Sequence, residues 1–306
     1  MLINSMLDLI GNTPIIKLNS IETFGNNIFL KLEGNNPSKS TKDRIALAMI
    51  EEAEKTGKIN KNTTIIEATS GNTGISLAMV CAIKKYKLKI VMPSNMSKER
   101  IQLMKAYGAD VILTPGHLGM KGCIEQLEIL KQLTKEYYIP NQFSNNKNPG
   151  IHYETTAEEI LKDLNSNIDY FICGTGSGGS FSGIAKKLKE TIPNIKTLTV
   201  EPEDSPFLSK GYTGSHKIQG MGMSLGKIPD VYNGNLADEI LLANFNKSIE
   251  YMKKLANEEG ILAGISSGAV LSSAIEICKK NRDKNLNIVV FSTDSGEKYL
   301  SNNIFL

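Results

Sequence analysis

The chain has 306 residues, enough for two domains or one large core, and its 41% hydrophobic and 22% charged residues are those of an ordinary globular protein. Its 35 basic and 32 acidic residues are mixed along the sequence and leave a net charge of +3, which excludes the basic footprint of a nucleic-acid or anionic-membrane binder. No apolar run approaches the roughly 18 to 20 residues that span a bilayer, and the first residues lack the basic start and small-residue cleavage site of a signal peptide.

From the N-terminus onward, short β-branched runs alternate with helical patterns, the mark of an α/β protein whose parallel sheet is covered by helices. The expected strands are Ile28–Glu33, Thr64–Ala68, Leu88–Pro93, Asp110–Thr114, Tyr170–Cys173, Thr197–Glu201 and Asn287–Phe291. Several are continuous apolar runs, as in strands buried on both faces. The expected helices are Lys42–Thr56, Gly71–Lys85, Lys98–Tyr107, Lys121–Tyr137, Tyr153–Leu164, Ser180–Thr191, Lys247–Glu259 and Ser267–Asn281. In the third of these, Ile101 and Met104 fall at helical spacing and Gly108 supplies the stop. The polar stretch 141–150 reads as a linker, and 202–229, rich in Gly, Pro and Ser, as a long loop of the kind that carries function. Cys81, Cys123, Cys173 and Cys278 sit among apolar neighbours with no C-x-x-C pair, so buried thiols, no metal site and a cytoplasmic location are expected.

The most conspicuous motif is Cys173-Gly-Thr-Gly-Ser-Gly-Gly-Ser-Phe-Ser-Gly183, between an expected strand and helix. Backbone N–H groups of such a loop, aimed by a helix N-terminus, cradle a phosphate, and Ser177 and Ser180 add hydroxyl donors. So many glycines in a mere tight turn would waste folding entropy. The owner of the phosphate stays open at this point. Gly174-x-Gly176-x-x-Gly179 also satisfies the dinucleotide fingerprint, and Glu201 ends the next strand at about the distance of a ribose contact. The cluster of hydroxyls suits a single terminal phosphate.

Further segments resemble the cysteine synthase (O-acetylserine sulfhydrylase) and cystathionine β-synthase family. Asn36-Pro-Ser-Lys-Ser-Thr-Lys42-Asp-Arg44 is similar to its N-P-S-x-S-x-K-D-R segment, and Thr69-Ser-Gly-Asn-Thr-Gly74 is identical to its substrate loop. His216-Lys-Ile-Gln-Gly220 and Gly264-Ile-Ser-Ser-Gly268 match two more segments in the same order. Gly11-Asn-Thr-Pro14 and Gly296-Glu-Lys-Tyr-Leu300 extend the likeness over almost the whole chain.

The resemblance implies the two-domain α/β fold of type II pyridoxal-phosphate enzymes, each domain a largely parallel sheet covered by helices. A smaller mobile domain, residues 41–145, would close over a larger one formed by 1–40 and 146–306, and the enzyme would be a homodimer. The cofactor would be pyridoxal 5'-phosphate. Read alone, Lys42 is a surface lysine flanked by Lys39 and Arg44; a partly desolvated lysine is instead a nucleophile that forms a Schiff base with an aldehyde. The resemblance assigns that role to Lys42 and not to Lys39. It gives the cofactor phosphate to Gly174, Thr175, Gly176, Ser177, Gly178, Gly179 and Ser180, the ring oxygen to Asn72, and the ring nitrogen to Ser266, where other folds place an Asp. Thr69, Ser70, Gly71 and Thr73 would hold the substrate carboxylate with Gln142, and Gly220 and Met221 would face the substrate. Ser70 and Ser266 also serve as helix caps on a purely structural reading.

The implied reaction is β-replacement on an amino acid by sulfide or a thiol, first of all O-acetyl-L-serine and sulfide to L-cysteine and acetate. Its alternative uses L-cysteine as donor, releases hydrogen sulfide, and forms lanthionine or cystathionine with a second thiol. Departures from the family pattern bear on this choice: Gly220-Met-Gly-Met-Ser-Leu-Gly-Lys-Ile-Pro229 replaces the family's shorter G-I-G-x-G-F-I-P, Ala68 replaces a Pro, and Thr41 replaces a small apolar residue. A nicotinamide dehydrogenase, which leaves Lys42 and Ser266 without a role, and a non-catalytic binding subunit, which leaves Lys42, Asn72 and Gln142 unused, are the competing classes.

Overall fold

A computed structural model of the chain describes residues 2–69, 71–223 and 226–305. The strands are β1 (Ile15–Lys17), β2 (Asn27–Leu32), β3 (Thr64–Ala68), β4 (Lys87–Pro93), β5 (Asp110–Thr114), β6 (Tyr137–Tyr138), β7 (Tyr170–Gly174), β8 (Lys196–Pro202), β9 (Glu239–Ala243) and β10 (Asn287–Ser292). The helices are α1 (Lys42–Lys55), α2 (Asn72–Lys84), α3 (Lys98–Ala106), α4 (Gly119–Leu133), α5 (Lys147–Ile151), α6 (Ala157–Asp163), α7 (Gly179–Thr191), α8 (Phe207–Lys210), α9 (Phe245–Glu259) and α10 (Ile265–Lys280). A π-helical turn over His152–Thr156 joins α5 to α6.

The strands form two sheets. A six-stranded sheet runs β1-β2-β10-β7-β8-β9, parallel except for the antiparallel β1, and a four-stranded parallel sheet runs β5-β4-β3-β6. The α/β class with a mostly parallel sheet is thus present as expected. Period-two alternation builds a core on each face of the larger sheet. Ile172, Val290 and Leu30 pack under α9 and α10, while Phe171, Val289 and Phe291 pack under α6 and α7. The smaller sheet repeats the plan, with Ile65, Leu88 and Ile90 toward α1 and α2, and Ile66 and Val91 toward α4. Helix α10 is buried along nearly its whole length, which its small and apolar residues permit.

The structure corrects several sequence-based boundaries. The helix expected over 121–137 stops at Leu133, and Tyr137–Tyr138 instead pair with Thr64 and Ile65 of β3. Two aromatic residues beside an open strand edge gain sheet hydrogen bonds that a further helical turn would forgo. The helix expected from Tyr153 begins as the π-helical turn, and the second half of the polar linker winds into α5. Strands β1 and β9, not among the expected strands, lie at the two edges of the large sheet. All four cysteines are buried and unpaired.

This topology positions the site. In parallel sheets the loops after the strand C-termini gather on one side, where ligands bind. Here the loops after β3, β4, β5, β7 and β10 converge from both sheets on a single cavity.

Candidate active site

The cavity holds about 330 Å³ and lies between the two sheets. Lys42 opens α1 at its wall, held there because Thr41 N–H donates to the Thr293 carbonyl (2.9 Å) and Ser40 bridges to Asp294. The Lys42 amine has no hydrogen-bond partner among the described residues. Burial lowers it below the ordinary lysine value, against the opposing influence of Cys173, Asp294 and Glu33. Lys39 is exposed and off the cavity, and its carbonyl accepts Lys298 Nζ at 3.1 Å. The geometry therefore separates two lysines that look alike in sequence.

Opposite Lys42 lies the glycine loop, ending at the N-terminus of α7. Gly178 takes φ +86°, a left-handed conformation that glycine adopts without strain. A methyl group on Gly176 would lie 2.7 Å from the Gly220 carbonyl oxygen, so the bare backbone there is a packing requirement. Ser180 Oγ bonds His152 Nε2 (2.9 Å), whose Nδ1 bonds Thr156 Oγ1 (2.9 Å). His152 is buried, and burial followed by the charges of Arg44 and Lys42 holds it well below the ordinary histidine range, hence neutral. Ser177 Oγ accepts from Asn148 Nδ2 at 3.2 Å. Gly174, Gly176, Ser177, Gly178 and Ser180 line the cavity, whereas Thr175 and Gly179 do not: the Thr175 hydroxyl bonds Thr199, and Gly179 packs on Asn148.

The loop after β3 forms a third wall with Thr69, Gly71, Asn72 and Thr73; Ser70 lies outside the described residues. Thr73 Oγ1 donates to Gln142 Oε1 (2.8 Å), tying this wall to the segment before α5. Asn72 Nδ2 donates to Asp294 Oδ2 (2.8 Å), and Asn72 Oδ1 accepts from Lys298 Nζ (2.9 Å). Tyr299 OH donates to the same Asp294 oxygen at 2.8 Å. Burial pulls Lys298 down to about 8, against the charges of Asp294 and Asp43. Ser266, in the first turn of α10, is buried at the cavity wall and shares a 2.7 Å hydrogen bond with Thr293 Oγ1. Gly220 and Met221 complete the rim.

The structure adds Arg100, Asp294, Lys298 and Tyr299, to which sequence reading gave no role. Gly296-Glu-Lys-Tyr-Leu300 was a recognisable segment, but nothing local to it marks Lys298 or Tyr299 as neighbours of Asn72. Among the described residues, no group of three or more His, Cys, Asp or Glu is placed to hold a metal ion. Among the described residues, no helix is long and apolar enough to cross a membrane.

Residues 6–294 match the pyridoxal-phosphate dependent enzyme family. The chain belongs to that family. This pyridoxal-phosphate-dependent enzyme is 46% identical to the cysteine synthase of Staphylococcus aureus over 305 residues, 99% of this chain and 97% of that one. Its structure is similar to that of a hydrogen sulfide-producing enzyme from Fusobacterium nucleatum, with a TM-score of 0.96 and 67% identity over 97% of this chain and 100% of that one. It is also similar to an O-acetylserine-dependent cystathionine β-synthase from Helicobacter pylori, with a TM-score of 0.93 and 39% identity over 100% of both. These neighbours make it a fold type II enzyme of the cysteine synthase kind. Glu201, the residue a dinucleotide would need for its ribose, is fully engaged elsewhere. Its buried carboxylate accepts Leu208 N–H (2.8 Å), Ser209 N–H (2.9 Å) and Ser209 Oγ (2.6 Å). That removes the dehydrogenase reading.

Proposed function

We propose that this enzyme performs sulfur β-replacement on three-carbon amino acids, converting O-acetyl-L-serine and sulfide to L-cysteine and acetate. The observation that carries the proposal is the unpartnered, desolvated amine of Lys42 facing a glycine cradle across one cavity. The residues fit pyridoxal phosphate. Bare backbone at Gly176 and Gly178, the Ser177 and Ser180 hydroxyls and the start of α7 suit its phosphate. Gly179 would contribute through its backbone N–H, whereas Thr175, whose N–H donates to the Val200 carbonyl (3.0 Å) and whose hydroxyl bonds Thr199, would fix the start of the loop.

When bound, the cofactor supplies an electron-withdrawing ring that makes the α-proton of a linked amino acid acidic. Lys42 would hold it covalently and, once displaced by the substrate amine, serve as the base that takes the α-proton and later returns it. Its lowered pKa favours the neutral amine this role requires. Asn72 would orient the ring oxygen and Ser266 face the ring nitrogen. A hydroxyl already bonded to Thr293 holds no proton on that nitrogen as a carboxylate would, which disfavours transamination relative to β-replacement. The start of α2 and the Thr69 and Thr73 hydroxyls, with Gln142, would receive the substrate carboxylate, since the Thr69 N–H is given to the Val91 carbonyl (3.0 Å) and the Gly71 N–H to Thr69 Oγ1 (3.3 Å). We further propose residues 41–145 as the unit that closes over the cleft, and a cytoplasmic homodimer as the working form.

A second reading, in which L-cysteine is the donor and hydrogen sulfide leaves as a second thiol arrives, is favoured by the 67% identity to the hydrogen sulfide-producing enzyme of F. nucleatum. Lanthionine or cystathionine would then be the product. Purified enzyme given O-acetylserine with sulfide, and separately cysteine alone or with homocysteine, separates the two by mass spectrometry of products. Absence of any sulfur-containing β-replacement product, or serine as the main product, would refute both.

A further inference from the structure

The enzyme buries two arginines in very different company. Arg44, 2% exposed, is clasped by Glu33 (2.8 Å) and Glu159 (2.6 Å), so its charge is compensated on the spot. Arg100, 3% exposed, has no ion-pair partner among the described residues. Its NH1 group donates only to neutral oxygens, Ser97 Oγ at 3.2 Å and Gln219 Oε1. Its Nε is buried with no acceptor among the described residues. The guanidinium stacks 4.8 Å from the centre of the Tyr299 ring and forms part of the cavity wall. A methyl group on Gly71 would come within 3.3 Å of Nε, so Arg100 stands directly behind the substrate loop.

A buried cation without a counter-charge is costly to keep. A structural arginine in this chain is paired with carboxylates, as Arg44 shows. An arginine left with neutral acceptors on a ligand cavity is suited to an anion that arrives with the ligand, and its planar fork matches a carboxylate. The substrate loop already offers N–H groups for the donor amino acid. The remaining carboxylate in a β-replacement that joins two amino acids is the acceptor's.

We propose that Arg100 is the acceptor subsite: it takes the carboxylate of an incoming thiol acid, displacing the Gln219 amide oxygen, and selects such thiols over uncharged ones. The inference rests on the sulfur β-replacement reading and names its second substrate class, a thiol-bearing amino acid or thiol carboxylic acid. In the reaction it serves, the acceptor S–H gives its proton to solvent and the resulting thiolate forms a C–S bond at the donor β-carbon. The bond from that carbon to acetate or sulfide breaks, and the leaving group departs with the electron pair.

The test uses the holoenzyme with O-acetyl-L-serine and two acceptors, 3-mercaptopropionate and 2-mercaptoethanol, compared per unit of thiolate. The wild type should favour the carboxylate-bearing thiol in kcat/KM by about tenfold or more, the usual effect of one buried charge-assisted contact. Arg100→Met should collapse that ratio toward one, and Arg100→Lys should keep part of it. Propionate should compete with the thiol acid and not with O-acetylserine in the wild type, a measurement that needs no variant. Equal use of the two thiols by the wild type overturns the proposal. So does an unchanged ratio in Arg100→Met, or a variant whose only change is a raised KM for O-acetylserine, which would place Arg100 on the donor instead. Failure of every thiol and of sulfide would refute the β-replacement reading itself, a distinct result.

Discussion

Replacing Lys298 with Met is the sharpest test of how the cavity is held together, because stability and function should move apart. Lys298 Nζ donates to Asn72 Oδ1 (2.9 Å) and to the Lys39 carbonyl (3.1 Å). Burial brings its pKa from 10.5 to about 8, so keeping it charged at pH 7 costs roughly 3 kcal/mol. Methionine removes that cost but leaves Asn72 Oδ1 without its donor, at about 1–3 kcal/mol, while the Lys39 carbonyl keeps the Ser295 N–H (3.2 Å). The two effects nearly cancel, and the melting temperature at pH 7 should move by only a few degrees. Function should not cancel. Asn72 is fixed by Lys298 on one side and Asp294 on the other; without Lys298 only the Asp294 bond holds the amide. Loss of a charge-assisted bond at that point should weaken cofactor binding and turnover by roughly 10- to 100-fold.

The pH dependence has a definite sign. A lysine whose folded pKa lies below its unfolded value contributes stability that is present above 10.5 and lost as pH falls through about 8. The wild type should therefore recover stability relative to Lys298→Met between about pH 8 and 10.5. Differential scanning calorimetry across that range, with a pyridoxal phosphate titration followed by absorbance, reads both arms. A variant that loses more than about 4 kcal/mol, or one with wild-type cofactor affinity, would refute the assignment of Lys298 as the group that orients Asn72.

Glu67, buried in β3 with only the Asn141 N–H at 2.8 Å, is pushed up to about 8 by burial and is protonated at neutral pH. Its stabilising contribution is full below 4.5 and lost as pH rises through about 8, so Glu67→Gln should gain on the wild type by roughly 1.4 kcal/mol per pH unit between about 4.5 and 8 and hold that lead above 8 in thermal melts. Equal melts at pH 9.5 would count against a buried neutral acid. Gly176→Ala places a methyl 2.7 Å from the Gly220 carbonyl and should weaken cofactor binding about tenfold or more in the same titration; unchanged affinity would move the phosphate elsewhere. Borohydride reduction of the holoenzyme should fix the cofactor on Lys42, and Lys42→Ala should abolish both the label and turnover. A label on Lys39 would overturn the site.

What was legible in the sequence was whatever is written in adjacent residues. The glycine loop, its strand and its helix are one continuous signal, and the structure has β7, the loop and α7 in that order. Lys42 and Lys39 could not be told apart from composition, because the difference is burial, and burial is set by α1 docking beneath Thr293. Glu201 sits at the right distance for a ribose, yet α8 folds back and takes its carboxylate. A count of residues along the chain carries no information about a cap that forms from across the loop.

Arg100 shows the limit most clearly. In sequence it is one charge in the run Lys98-Glu-Arg100, at the start of a helix read only from its apolar spacing at Ile101 and Met104. In the fold, the neighbouring Glu99 accepts Ser301 N–H (2.7 Å) and Ser301 Oγ (2.6 Å), so the start of α3 is pulled onto the C-terminal 3₁₀ helix. That docking turns Arg100 inward over Tyr299. A chain with a mixed charge pattern and a net charge of +3 thereby turns an unpaired guanidinium into the cleft. Arg100 lines it beside the Lys42 amine, which burial biases toward the neutral form, and Asp294 is the one lining carboxylate among the described residues. Asp294 is itself constrained: one oxygen holds Asn72 and Tyr299, and the other is buried against Gly264, out of reach of water and with no donor among the described residues. Asp230 is exposed and off the cavity. With its lining carboxylate so held, the cleft offers water no free carboxylate base, whereas sulfide and thiols are already partly ionised near neutral pH and are drawn to its positive charge. The preference for sulfur nucleophiles thus follows from which charges the fold turns inward, a property of tertiary packing that no stretch of the sequence displays.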